Sequence, residues 1–161
     1  MTTLTDKAQL ARYIPSEADF RFADFPFYWL LKLGGCYIQS MEVELKKLDL
    51  NITNWRIFLI LREEPEEISV SDIANRALGR LPTIAKSISK MGDRGLVKLR
   101  RSDTDARVLL VSITPKGLAL LDKSIERTSA TIAQALDGVC HEEIRQSNSL
   151  MKKLIDNLSG N

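Results

Sequence analysis

The side chains of this chain best placed for chemistry are donors and cations, concentrated between Arg76 and Arg107. That stretch holds nine basic residues against three acidic ones, while the whole chain carries a net charge of only +2. A basic stripe is therefore set into an otherwise acidic protein, as in a polyanion-binding face. Within it, Thr83, Lys86, Ser87 and Lys90 recur at three- and four-residue steps, opposite an apolar stripe of Ile84, Ile88 and Met91. Hydroxyls and ammonium groups on one helix face can donate to phosphates or to base edges in a DNA major groove. Pro82 can touch a thymine methyl. Arg107 suits a minor groove, where arginine is favoured by the deepened potential, and Asp105 is placed to hold its guanidinium extended by a charge-assisted bond. Ser71 and Arg101 complete the set of candidate DNA contacts.

Other chemistries find no residues. There is one histidine, His141, and the two cysteines, Cys36 and Cys140, have no metal-ligand spacing and suggest no disulfide framework. No glycine-rich phosphate loop and no nucleophile with a base stand out. No enzyme activity, cofactor or metal site is expected. No apolar run approaches the roughly 20 residues of a membrane span, and Met1–Leu10 lacks a secretory layout, so the expected location is the cytoplasm.

These candidates need elements to carry them. A hydrophobic content of 44% can furnish a core. Residues 1–22 read as an N-terminal arm. Leu30, Gly34, Tyr37, Met41, Leu45 and Leu48 mark one face of a long helix from about Asp24 to Lys47. Gly34 and Gly35 interrupt it at a cost of about 1 kcal/mol each, which a closely packed helix or room for a ligand would offset. Asn51 caps a helix over 52–62, ended by the acidic run 63–67 around Pro65, which is not expected to face DNA. Ser69 to Asp72 opens a short helix through Ala77, and Leu78-Gly79 turns the chain. Pro82 is expected at the first position of the next helix, and Gly95 at its left-handed stop. Two β-prone runs, 96–101 and 108–113, make a hairpin with a projecting tip. Thr114-Pro115 starts a helix to about Asp137, and a last helix covers roughly 142–158.

The expected fold is mainly α with a small β wing: a winged helix-turn-helix flanked by long N- and C-terminal dimerisation helices. Its parts are 1–50 (arm and first dimerisation helix), 51–114 (DNA-binding lobe) and 115–161 (C-terminal dimerisation helices). The end helices carry more apolar surface than the central lobe needs.

The segment from Asn51 to Gly117 resembles the MarR family of winged-helix regulators. The resemblance is carried by Asn51–Arg56, the 69–77 helix, Met91–Val97, and above all Asp105-Ala106-Arg107 followed by Val111–Gly117. Helix order extends it to about 24–158. Ala106 departs from the pattern, since many relatives have a basic residue there. The resemblance implies a symmetric homodimer on a pseudo-palindromic operator in double-stranded DNA, with half-sites roughly 34–36 Å apart. It also implies repression relieved by a small aromatic or phenolic effector, an acid or its coenzyme A thioester. Phe27, Tyr28, Trp29, Tyr37, Trp55 and Arg56 are the candidate ligand residues, although for each one core packing or ion pairing is the simpler role. The Trp55-Arg56 pair hints at regulators of aromatic catabolism. Two rival readings are control by oxidation of Cys36, which lacks a cationic neighbour in sequence, and a helical dimer that binds protein alone.

Overall fold

The computed structural model describes residues 9–160. The arm expected over 1–22 thus lies partly outside the described residues; its described part contains a short 3-10 turn, Ala11–Tyr13, and another, Phe22–Asp24, follows. The ordered elements are α1 (Pro26–Lys46), α2 (Ile52–Glu63), β1 (Ile68–Ser69), α3 (Val70–Arg76), α4 (Leu81–Asp93), β2 (Val97–Arg101), β3 (Leu109–Ile113), α5 (Pro115–Ala135) and α6 (His141–Ser159).

Local chemistry explains most boundaries. The Asn51 side chain accepts the Asn54 N–H at 2.9 Å, and Asn54 reciprocates towards the Asn51 N–H at 3.3 Å, which opens α2. Ser69 Oγ accepts the Asp72 N–H at 3.0 Å at the head of α3. Thr114 Oγ1 accepts the Gly117 N–H at 3.0 Å at the head of α5. Gly95 and Gly138 follow α4 and α5 with φ of 70° and 74°, in the left-handed region glycine enters freely.

Four details differ from the sequence reading. Pro82 stands second in α4, because Leu81 is already helical and Arg80 is the cap. The turn after α3 puts Leu78, not Gly79, in the left-handed region, with φ of 53°. Gly79 is needed for room instead, since a Cβ there would lie 2.6 Å from Ile84 Cδ1. Among the described residues, nothing approaches Gly34 or Gly35, where a Cβ would meet no atom within 4 Å. A third strand, β1, also joins the hairpin: the antiparallel order is β1-β3-β2, with Ile68 opposite Val111 and Leu99 opposite Val111 on the other side.

The core lies where α2, α3, α4, the sheet and the C-terminal half of α1 meet. Phe58, Ile57, Met41, Leu45, Ile73, Leu96, Val111 and Leu121 are buried there, with the α4 stripe Ile84, Ile88 and Met91. Burying each such side chain stabilises by about 1.5–3 kcal/mol, so the orientation of α4 is set by its inner face. The ends of the chain contrast with this lobe. None of the residues of α6 is buried, and Leu30, Leu31, Leu33, Leu150, Ile155 and Leu158 remain exposed.

Candidate nucleic-acid interface and ligand residues

The inner stripe of α4 leaves its outer face free. Pro82, Thr83, Lys86 and Lys90 are exposed, and Ser87 is half-buried at the edge of that face. Ser89 and the cap residue Arg80 are exposed beside them. Neither was singled out from sequence as a DNA contact, although a three-residue step from Lys86 reaches Ser89 and one from Thr83 reaches Arg80. Ser71 is exposed in the first turn of α3, the helix that precedes α4 in the helix-turn-helix.

The wing is tied together at its tip. Ser102 N–H donates to the Val108 carbonyl at 2.9 Å, and Val108 N–H to the Asp105 carbonyl at 2.9 Å. The Arg101 guanidinium donates to the Ala106 carbonyl, so Arg101 braces the loop. Asp105 departs from its expected role. Its Oδ1 accepts the backbone N–H of Arg107 at 2.9 Å, and no bond to the guanidinium is present among the described residues. A two-residue separation favours this local turn over a side-chain pair, because a short carboxylate reaches the main chain two residues on more easily than the end of a long arginine.

Ion pairs redistribute the basic stripe. Arg76 is paired with Glu63 and Glu64, Arg94 with Asp49, and Arg100 with Glu67 and Asp103. The acidic run 63–67 thus faces two cations of the stripe. Glu67 raises the pKa of Arg100, chiefly through their hydrogen bond. Among the described residues, Arg80, Lys86, Lys90, Lys98, Arg101 and Arg107 have no ion-pair partner. The unneutralised charge therefore lies on the outer face of α4 and on the hairpin.

The six candidate ligand residues fall into two groups. Tyr28 packs on Phe22 with ring centroids 4.6 Å apart and on Trp29 at 5.2 Å, while Phe27 meets Phe25 at 5.5 Å. The Lys32 ammonium lies 5.1 Å from the Trp29 ring centre, and the Trp29 indole N–H donates to the Ala23 carbonyl at 2.6 Å. This cluster fastens the N-terminal segment to the start of α1. Tyr37 lies nine residues beyond Tyr28, about 13 Å along the helix. There, burial pushes the phenol pKa up while the charge of Arg56 draws it down. Trp55 is buried, and its indole N–H has no acceptor among the described residues. An open cleft of about 1840 Å³ lies between the N-terminal segment and α6, lined among others by Tyr13, Phe20, Arg21 and Leu154; none of the six lines it.

Comparison with known proteins agrees with this geometry. The MarR family model matches residues 48–108, from the end of α1 to the wing. The HTH-type transcriptional repressor IacR of Pseudomonas putida is 37% identical over 144 residues, which cover 89% of this chain and 86% of the relative. This chain belongs to the MarR family. Among solved MarR-type folds, CouR from Rhodococcus jostii bound to p-coumaroyl-CoA superimposes with a TM-score of 0.75 at 18% identity, over 83% of this chain and 94% of that one. PcaV from Streptomyces coelicolor, in complex with its natural ligand, gives 0.75 at 20% identity, over 86% and 97%. The MarR fold is thus matched well beyond the central lobe, and the chain is a transcriptional regulator homologous to a repressor. No helix of the described residues is long and apolar enough to cross a membrane.

Proposed function

We propose that this MarR regulator works as a homodimer that represses transcription from a pseudo-palindromic operator and is released by an aromatic acid or its coenzyme A thioester. Each protomer lays α4 in a major groove and its wing in the adjoining minor groove. Thr83, Lys86, Ser87 and Lys90, with Ser71 and Pro82, meet bases and phosphates. Arg107 enters the minor groove, braced by Arg101 and Asp105. The observation that carries this reading is the coincidence of unpaired cations with the outer face of α4 and the wing, while the acidic run neutralises cations elsewhere. Neither face is built for catalysis. Such work belongs in the cytoplasm.

The exposed apolar residues of α1 and α6 are the natural dimer surface. An effector is supported by two features. The buried Trp55 N–H lacks an acceptor among the described residues, a costly state that a ligand oxygen would relieve, and Arg56 beside Tyr37 suits a carboxylate. CouR bound to p-coumaroyl-CoA, and BpsR of Bordetella bronchiseptica, whose DNA binding is regulated by 6-hydroxynicotinic acid, point to the same class of compound. An effector acts only through different affinity for the two states, here by fixing a spacing of recognition helices that does not fit DNA.

The test is titration of the protein against fragments from upstream of its own gene at two salt concentrations, with and without aromatic acids and their thioesters. Tight, salt-sensitive, sequence-specific binding abolished by one compound is the expected result. Absence of specific binding to any fragment would overturn the reading in favour of a protein-interaction module.

A further inference from the structure

We propose that Arg94 is a positioning residue that narrows the angle between α4 and α1 left by the buried inner stripe of α4, and through it the distance between the two reading helices of the dimer. The inference rests on the DNA-binding reading above.

Arg94 is the C-cap of α4. Its Nη1 donates to the main-chain carbonyl of Asp49 at 2.8 Å, and its Nη2 lies 3.3 Å from the Asp49 carboxylate. Asp49 sits in the link between α1 and α2 with φ of 54°, a left-handed conformation that aspartate tolerates better than most residues. Its carboxylate is 91% exposed, so the ion pair itself contributes little. The bond to the carbonyl is the structural tie.

The backbone at the same point is held from the other side. The carbonyl of Arg94 accepts Lys116 Nζ at 2.7 Å. The carbonyls of Gly95 and Leu96 accept Thr114 Oγ1 at 2.8 and 3.1 Å, and Leu96 also accepts the Thr114 N–H at 3.2 Å. Three successive carbonyls at the end of α4, where helices leave such groups without partners, are thus met by the start of α5. Beside the core packing of Ile88 and Met91, the Arg94 side chain is the hydrogen-bonded connection from this point to the link that follows α1.

The other end of α4 is held by the packing of Ile84 beside Gly79 and not by side-chain hydrogen bonds. Among the described residues, the side chains of Thr83 and Lys86 make no hydrogen bond. With 13 residues, α4 is about 20 Å long, so a tilt of about 10° about its fixed end moves the reading end by roughly 3 Å, a large fraction of one base-pair rise. Loss of Arg94 leaves the Thr114 and Lys116 contacts in place. The helix stays folded, packed through its inner stripe and attached to α5, but its angle to α1 is held less tightly.

Two measurements test this. The first uses operators with one base pair inserted or deleted between half-sites. Wild type is expected to bind them about tenfold more weakly than the natural spacing, on the scale of a mismatched site. Arg94→Ala is expected to lose most of that discrimination, and Arg94→Lys to retain part of it. Unchanged discrimination in Arg94→Ala overturns the proposal. So does a salt dependence that drops by about two with the discrimination intact, which marks a phosphate contact from each protomer. The second needs no DNA. Spin labels at Gln39→Cys on α1 and Ser89→Cys on α4, with Cys36→Ser and Cys140→Ser, are measured in labelled chains diluted into excess unlabelled protein. A distance distribution that broadens in Arg94→Ala supports the strut; an unchanged one overturns it. A wild type that binds no operator while its Arg94→Ala distribution broadens refutes the DNA reading and leaves the strut standing.

Discussion

The carboxylate of Asp105 accepts the main-chain N–H of Arg107 at 2.9 Å and leaves the guanidinium at the wing tip unengaged. The acid shapes the loop, and the arginine is free for a ligand. Arg107→Ala is expected to weaken operator binding by about 1–3 kcal/mol without changing the dimer. Asp105→Asn keeps an oxygen acceptor for the N–H and should bind nearly as wild type does, whereas Asp105→Ala should bind more weakly. Fluorescence anisotropy with a labelled operator separates them. Equal losses in Asn and Ala variants would restore a charge-based role.

Lys86 and Lys90 are exposed and unpaired among the described residues. Each alanine substitution is expected to reduce the salt slope of operator binding by about two, one phosphate contact being lost from each protomer. Thr83→Ala and Ser87→Ala should instead relax preference among operator sequences at constant slope. Binding isotherms at four salt concentrations provide the check.

Gly117 sits where a Cβ would lie 2.1 Å from the Leu96 carbonyl oxygen. Gly117→Ala must push the first turn of α5 off the end of α4. A loss of about 1–3 kcal/mol is expected from such overpacking, read by urea denaturation. Gly79→Ala meets Cγ1 and Cδ1 of the Ile84 side chain and no main-chain atom, and should cost less. The reverse order would mean that α5 and α4 are joined less rigidly than the bonds from Thr114 imply.

Burial holds the Tyr37 phenol above its ordinary pKa, and the Arg56 charge opposes that shift. Arg56→Ala is expected to raise the Tyr37 pKa further, measured on the phenol carbon by NMR. The folded state keeps this proton longer than the unfolded chain, so stability falls as pH rises above about 10, the ordinary tyrosine value. An unchanged Tyr37 pKa in Arg56→Ala would show that the two side chains are not neighbours in solution.

Cys36 is exposed on α1, and the Cys140 side chain engages the first turn of α6. Operator binding of Cys36→Ser under peroxide is expected to match that of wild type. A peroxide response lost only in the variant would make the thiol the controlling group.

Legibility in the sequence followed the range of each interaction. Asn51, Ser69 and Thr114 announce helix starts because cap and partner lie within three residues. The α4 stripe was readable because burial imposes its period on the sequence. The strand β1 was not, since two residues carry no alternation and its partner β3 is some forty positions away. Leu78 could not be recognised as the left-handed residue, because the neighbouring glycine is the better local candidate until Ile84 is seen to fill its space. Arg94 looked like one more cation in a basic stripe. Only the folded chain brings the Asp49 carbonyl to it, across 45 positions.

The division of α4 into a packed inner stripe and an outer face that supports nothing else has a consequence for how such a regulator can change. Thr83, Lys86, Ser89 and Lys90 are exposed, and helix surfaces of this kind accept most non-breaking residues at little cost. The vocabulary of this protein can therefore be rewritten without disturbing its grammar: new operators are reachable by substitutions that the fold does not oppose, while Ile84, Ile88, Met91 and the Arg94 tie stay as they are.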